Sequence, residues 1–353
     1  MPSALTSPKQ TSAPAHGKAA ASSAAERVMA PVADELRETA AIFDEELVSD
    51  LPSVNQLVTY VARFRGKMLR PTLLLLAGKA VAPDRPLTRG HLVQAAVMEM
   101  VHMSTLVHDD VLDDAELRRK GATINHLRGN EAAVLLGDYL ISHSYHLCSR
   151  ADAPPPLEPQ WAARVVARTT NQLCEGELLQ VHNRANLGLD EETYYEIVRR
   201  KTGALTAASC LIGARFAGAS EALGEQLYQY GELIGMAFQV QDDVLDLAGD
   251  VREVGKTLGV DAEKQKLTLP VIHFLRTAPR EHRELLVSLL RGNDPDRAER
   301  VRQLIGPSDA VAFAQSEARR LTREAADCLS ELPPSEAKDV LLAVCDFVIG
   351  RAA

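Results

Sequence analysis

Residues 87–114 read LTRGHLVQAAVMEMVHMSTLVHDDVLDD. Within them Leu92, Ala95, Ala96, Met100, Met103, Val107 and Leu112 recur at spacings that gather them on one broad arc of an α-helix. The arc is too wide for a helix lying on a surface, so the pattern predicts a helix at the centre of the fold. Residues 220–248, SEALGEQLYQYGELIGMAFQVQDDVLDLA, read the same way, with Ser220 as N-cap and Glu221 in the first turn. From residue 26 onward helical spacing continues almost without interruption, Ala and Leu dominate, and no pair of strands with a hairpin turn stands out. Breaks fall at 83–86, 153–159, 292–295 and 333–334, all marked by Pro or Gly and none by a change of composition. The expectation is one large all-α domain over residues 26–353.

Residues 1–25 differ. Ala, Ser and Pro supply 16 of the 25, with no Asp, Glu or Arg among them, too little apolar surface to offset the entropy of ordering. They read as a disordered tail, poor in the arginines of a transit peptide. The whole chain of 353 residues is 46% apolar and 25% charged, as in an ordinary globular protein. Its 48 acidic and 39 basic residues leave a net charge of −9 with no basic block, which speaks against nucleic acid. Cys148, Cys174, Cys210, Cys328 and Cys345 are odd in number and never form CxxC, so buried thiols in a reducing cytoplasm are expected rather than disulfides or zinc ligands. No apolar run approaches the roughly 18 residues of a membrane span.

The chemistry is signalled by a short repeat. Asp109 to Asp113 reads DDVLD, and Asp242 to Asp246 reads DDVLD again, each at the end of a long apolar helix. With 22 aspartates in the chain, two copies of DDxxD arise by chance in only about one such sequence in three hundred, so the repeat calls for an explanation. The first and fifth positions of each copy lie about 40° apart on a helix and can share one site. Aspartates near a helix C-terminus oppose the macrodipole and repel one another unless a cation neutralises them. A hard divalent ion such as Mg²⁺, held by one or two carboxylates together with substrate phosphates, suits such a pair of clusters.

Around this repeat stand further motifs in order. They are GKMLRP at 66–71, EMVHMSTLVHDDVLDD at 99–114, Arg118 and Arg119, GDYL at 137–140, and GELLQ at 176–180. Lys201 and Thr202, FQVQDDVLD at 238–246, GKTLGVD at 255–261 and KLTLP at 266–270 follow. In these motifs the chain resembles the trans-isoprenyl (polyprenyl) diphosphate synthase family over nearly everything after the tail. The resemblance implies a single helical bundle around a deep central cavity, with the aspartate motifs facing each other across its mouth. It implies the head-to-tail condensation of isopentenyl diphosphate with an allylic diphosphate, releasing diphosphate, with several Mg²⁺ ions bound alongside the allylic substrate. It also implies a homodimer.

Residue roles come with the resemblance. Asp109, Asp113 and Asp242 resemble the principal metal ligands, and Asp110, Asp243 and Asp246 secondary ones or holders of metal-bound water. Arg118, Lys201, Lys256 and, more weakly, Lys266 resemble a clamp on the allylic diphosphate. Lys67, Arg70, His102 and Arg119 resemble the metal-free pocket for isopentenyl diphosphate, where fixed cations serve and arginine adds forked contacts. Phe238 would lie against the isopentenyl group, Gln239 near the allylic phosphate, and Thr202 near the carbocation. The released diphosphate would take the final proton. Taken singly, Lys67 and Arg70 read as solvated charges and His102 as a core histidine; their joint order raises them.

The sequence departs from the family pattern at Gln265, where long-chain members usually have Gly, and at Lys120–Gly121, where Gly-Lys is commoner. A class I terpene cyclase would replace the second cluster with an Asn/Ser/Glu triad, and a noncatalytic synthase subunit would lose one or both clusters; this chain keeps both. Product length is read from the turns before Asp109, where short-chain members carry Phe or Tyr. Here stand Ser104 and Thr105, with Val101 and Val97 deeper, and Tyr139 or Tyr145 on a neighbouring helix as the remaining candidates for a floor. The expected product is all-trans, longer than farnesyl and of six or more isoprene units, with geranylgeranyl diphosphate as the second choice.

Overall fold

The structure, a computed structural model, describes residues 25–66, 68–118, 121–151, 153–249, 260–264, 266–292, 294 and 296–350. The first 24 residues of the expected tail lie outside the described residues, as do Lys67, Arg119, Lys120, Lys256 and Gln265. Ala25, assigned to the tail from composition, is already helical and buried.

The chain runs through α1 (Ala33–Glu46), α2 (Pro52–Ala62), α3 (Leu69–Val81) and α4 (Arg89–Leu112). It continues through α5 (Asn130–Arg150), α6 (Trp161–His182), α7 (Glu191–Val198), α8 (Ala204–Phe216) and α9 (Glu221–Ala248). The later helices include α10 (Leu269–Thr277), α11 (Asp309–Asp327) and α12 (Glu336–Gly350). The two helices read first from the sequence, α4 and α9, are the longest of these and lie inside, with Ala95 to Met98 and Met100 fully buried on α4 and Ile234, Ala237 and Val240 on α9. As expected, Ser220 caps α9, its hydroxyl accepting from the Leu223 amide at 3.2 Å.

One difference from the all-helical reading is a two-residue ribbon, β1 (Leu117–Arg118) with β2 (Gly121–Ala122), antiparallel with Leu117 opposite Ala122. It is too short to show alternation in sequence. Its anchors are tertiary: the Tyr60 hydroxyl donates to the Ala122 carbonyl at 2.7 Å, and Gly121 lies under the Phe64 ring, where a Cβ would meet the ring at 2.7 Å. All five cysteines are free, but Cys174 is exposed and Cys328 half-buried, which corrects the expectation of buried thiols throughout. No described helix is long and apolar enough to cross a membrane.

Helix α3 has no polar face: Leu73, Leu74, Leu75, Leu76 and Ala77 are all fully buried, enclosed by α4, α8 and α12. α8 packs between α3 and α9 so closely that glycine is required at the crossings. A Cβ on Gly213 would stand 2.0 Å from the Leu74 carbonyl oxygen, and one on Gly231 would stand 2.4 Å from the Thr206 carbonyl oxygen. Both neighbours are backbone and cannot swing aside. Gly213→Ala and Gly231→Ala are therefore each expected to lower stability by about 1–3 kcal/mol or more, read as an earlier midpoint in urea denaturation.

Candidate functional site

Helices α4 and α9 end in the two aspartate motifs. Asp109 and Asp110 occupy the last turn of α4 and Asp113 is its C-cap, after which Asp114 takes a left-handed conformation, φ 48°, that turns the chain away. Asp242, Asp243 and Asp246 lie in the last two turns of α9. Six carboxylates, three at each helix end, are thus set where the backbone dipole is already negative.

Cations meet this charge from two directions. Between α7 and α8 the backbone makes a single π-helical turn, Arg199–Gly203, a widening of the helix that often marks a functional site. It is pressed against α6 at Gly176, where a Cβ would be 2.7 Å from the Lys201 amide nitrogen. The turn presents two neighbouring side chains to two different helices. Lys201 Nζ pairs with Glu177 and lies 4.0 Å from Asp109 Oδ1. The Thr202 hydroxyl donates to Gln239 Oε1 on α9 at 3.2 Å. From the other side Lys266 Nζ donates to both Asp113 oxygens at 2.8 and 3.0 Å, and Lys264 Nζ stands 3.3 Å from Asp113. On the same segment the Asp261 amide donates to Asp246 Oδ2 at 3.3 Å. The segment 261–266 therefore touches both motifs.

The six aspartates differ in environment. Burial raises the Asp109 carboxyl; Lys201 opposes this, while Glu177 and Asp113 add to it. For Asp113 burial also works upward, but the Lys266 hydrogen bond and the charges of Lys266, Lys264 and Lys201 bring it below the ordinary carboxylate range. Lys201 is held protonated: burial alone would lower it, and Asp109 and Glu177 more than reverse that. Asp110 turns away from its neighbours and takes the Arg118 guanidinium with Nε at 3.0 Å from each oxygen and Nη2 at 2.7 Å from Oδ1. Val61, Phe64, Met103, Leu106 and Val107 surround the inner side of that pair. Asp243 is buried, accepting from the Tyr194 hydroxyl at 2.6 Å and from Gln239 Nε2 at 3.0 Å, and burial with the nearby Asp261 charge keeps its carboxyl well above the usual range. Burial and Asp246 together push Asp261 up to about 6.

Arg70, in the first turn of α3, faces Glu99 of α4; burial lowers its guanidinium to about 10 against the pull of Glu99. Its Nε has no hydrogen-bond partner among the described residues. His102 and Phe238 are half-buried on α4 and α9. Ser104 is fully buried and its hydroxyl donates to the Gly137 carbonyl of α5 at 2.9 Å, whereas Thr105, one turn before Asp109, is half-buried. Tyr139 and Tyr145 of α5 turn to other neighbours, the Leu47 carbonyl and Thr170.

Arg118, read as a substrate clamp, and Lys266, read as a weaker one, thus hold Asp110 and Asp113 here, and Lys201 sits at Asp109. Sequence reasoning assigned no role to Glu177, Tyr194, Asp261, Lys264 or Glu99. Glu177, Glu99 and Asp261 fall inside quoted motifs, which was the available signal; Tyr194 and Lys264 carry none.

The profile of the Polyprenyl synthetase family matches residues 51–306 of this chain. The "Heptaprenyl diphosphate synthase component 2" of Bacillus subtilis is 31% identical over 305 residues, covering 86% of this chain and 84% of that protein. The "Short chain isoprenyl diphosphate synthase" of Methanothermobacter thermautotrophicus is 33% identical over 328 residues, covering 92% and 99%. The crystal structure of a polyprenyl synthase from Caulobacter crescentus, complexed with calcium and isoprenyl diphosphate, superposes with a TM-score of 0.84 at 29% identity, covering 93% of this chain and 98% of that one.

The geometry yields one stability expectation. Tyr194→Phe removes a donor from the buried Asp243 and should cost about 1–3 kcal/mol, measured by chemical denaturation.

Proposed function

Because this chain belongs to the polyprenyl synthetase family and is a prenyltransferase, we propose that its two aspartate clusters bind Mg²⁺ together with an allylic diphosphate and that it extends this primer with isopentenyl diphosphate. The observation that carries the reading is that both clusters are joined to the same two stretches of chain: Lys201 lies beside Asp109 while Thr202 bonds Gln239, which donates to Asp243, and Lys266 pairs with Asp113 while the Asp261 amide donates to Asp246. The donor set fits the ion. It is built of carboxylate oxygens alone, and Asp109 is crowded by like charges that a hard cation would relieve. Asp109, Asp113 and Asp242 would be the principal ligands, with Asp110, Asp243 and Asp246 behind them. The bound ions supply charge neutralisation to the departing diphosphate.

The chain's own groups do the rest. Breaking the allylic carbon–oxygen bond builds negative charge on the leaving group, and cations fixed beforehand stabilise that charge most as the bond opens. Lys201 and Lys266, both held at the aspartates, would do so, and Arg118 and Lys256 would complete the clamp. Thr202, oriented by Gln239, would face the developing cation. Arg70 would take the isopentenyl diphosphate with Lys67, His102 and Arg119; its Nε, without a hydrogen-bond partner among the described residues, fits a group that receives an anion. The unpaired cysteines accord with a cytoplasmic protein. Leu135 on α5 and Leu178 on α6 are 67% and 69% exposed, apolar surface that a second copy of the chain would cover.

Purified protein given isopentenyl diphosphate, an allylic primer and Mg²⁺ should make an all-trans polyprenyl diphosphate, and a chelator should stop it. Asp109→Ala and Asp242→Ala should each lower turnover by about a thousandfold or more while the protein stays folded; an Asp242→Ala enzyme with wild-type turnover at saturating Mg²⁺ would refute the two-cluster reading. Arg70→Ala should chiefly raise KM for isopentenyl diphosphate, whereas Lys201→Ala should act on the allylic substrate or on kcat. Equal effects of both variants on both substrates would remove the pocket assignment.

For product length we propose six or more isoprene units. A chain anchored at Asp109 and Asp113 passes about 5.4 Å deeper for each 3.6-residue turn of α4, and the first side chain met on Asp109's side is the small Thr105. Thr105→Phe should therefore shorten the product, as read by mass spectrometry. Ser104→Phe would also have to displace α5 at Gly137, so a loss of stability should accompany any change in product. An unchanged product distribution in Thr105→Phe would exclude a path along this face.

A further inference from the structure

A cluster of side chains of types that can ligate a metal lies toward the C-terminal end of α5, where α1 terminates. Tyr139, His143, His146 and Arg150 follow at spacings of four, three and four and so share one face of α5. All four turn to the end of α1. The Tyr139 hydroxyl lies 3.5 Å from the Leu47 carbonyl oxygen, and its ring lies 4.3 Å from that of His143. His146 Nδ1 is 2.9 Å and His143 Nδ1 3.6 Å from the same oxygen, Glu46 Oε1, while Arg150 Nη1 stands 3.5 Å from Oε2.

We propose that Glu46, His143 and His146 bind a divalent transition metal ion of the zinc class and that the ion ties the end of α1 to α5. Their ligand atoms all lie within 4.8 Å of one another. Zinc bonds to imidazole and carboxylate of about 2.0–2.1 Å place tetrahedral ligands about 3.3–3.4 Å apart. The observed 2.9 and 3.6 Å bracket that edge and the histidine nitrogens lie within 4.8 Å of each other, so small side-chain rotations bring three ligands into place, with a water as the fourth. Two imidazoles and one carboxylate suit zinc rather than magnesium, which prefers oxygen.

Two further features call for a cation. Glu46 is the last residue of α1, at the negative end of the helix dipole, and its carboxylate is only 11% exposed; Arg150, itself 64% exposed, stands at Oε2 and leaves Oε1 to the two histidines. His143 Nδ1 is closed to solvent and has no hydrogen-bond partner among the described residues, an orphaned buried atom that a metal bond would satisfy. His146, 60% exposed, leaves a side from which an ion can enter. None of these residues belongs to the prenyl-transfer site.

The test uses full-length protein stripped of metal and titrated calorimetrically with Zn²⁺ in excess Mg²⁺, which keeps the aspartate clusters occupied. Wild type should bind Zn²⁺ with an affinity at least about tenfold above that of His146→Ala, and His143→Ala/His146→Ala should lose that binding event. Co²⁺ substituted at the same site should show the visible bands of a tetrahedral nitrogen–oxygen set with no thiolate charge transfer, which separates these ligands from the free cysteines. Prenyl transfer by His146→Ala in Mg²⁺ alone should remain at the wild-type level. Equal Zn²⁺ affinity in wild type and folded His146→Ala overturns the proposal. So does a wild-type Co²⁺ spectrum lacking tetrahedral bands, a result that decides the matter even where the double variant does not fold.

Discussion

Carboxylates gathered at the C-terminal ends of two buried helices repel one another and the backbone dipoles beneath them, and most of the arrangement around α4 and α9 answers that repulsion. The answers differ from residue to residue. Asp113 receives two lysines, Asp110 a forked arginine, and Asp243 a tyrosine hydroxyl and an amide. Asp109 receives a lysine at 4.0 Å that it shares with Glu177, and its carboxyl stays above the ordinary range. Asp109, one of the three residues that resemble principal metal ligands, thus keeps a carboxyl that its lysine does not fully compensate.

The scaffold transmits this arrangement through close backbone contacts. The π turn that carries Lys201 and Thr202 is seated by Gly176 from α6 and by Gly235 from α9, whose Cβ would lie 2.9 Å from the Gly203 Cα. Because one turn supplies adjacent side chains to α4 and to α9, a shift of either helix moves the cation and the hydroxyl together. Lys266 and Asp261 make a second brace from the opposite side, five residues apart on one segment. Packing of α8 against α3 through Gly213 keeps this layer close to the α3 turn that bears Arg70.

Ser104 and Thr105 illustrate how one residue of offset alters a role. Both are small, and both stand before the first aspartate motif. A rotation of 100° puts the Ser104 hydroxyl on the α5 backbone, fully buried, while Thr105 remains on the side of Asp109. Similarly, Asp110 differs from Asp109 by one position, and that position carries it to Arg118 and the apolar wall formed with Phe64 and Met103.

The sequence by itself determined the helical class, the two central helices, the Ser220 cap and the paired aspartate motifs, because apolar spacing, capping and a repeated motif are local properties written along the chain. It did not show the ribbon at Arg118, whose two-residue strands are held by Tyr60 of α2 and by Phe64 in the turn after it. Nor did it show which cation serves which aspartate, or that Glu177, Asp261 and Tyr194 join the site. Those pairings cross from 8 to 153 positions of chain, and only the folded packing of helices brings such groups within bonding distance. The cluster at the end of α1 has the same origin: a Tyr-His-His-Arg stripe is visible along α5, but Glu46, about a hundred residues away, becomes its partner only through the tertiary fold.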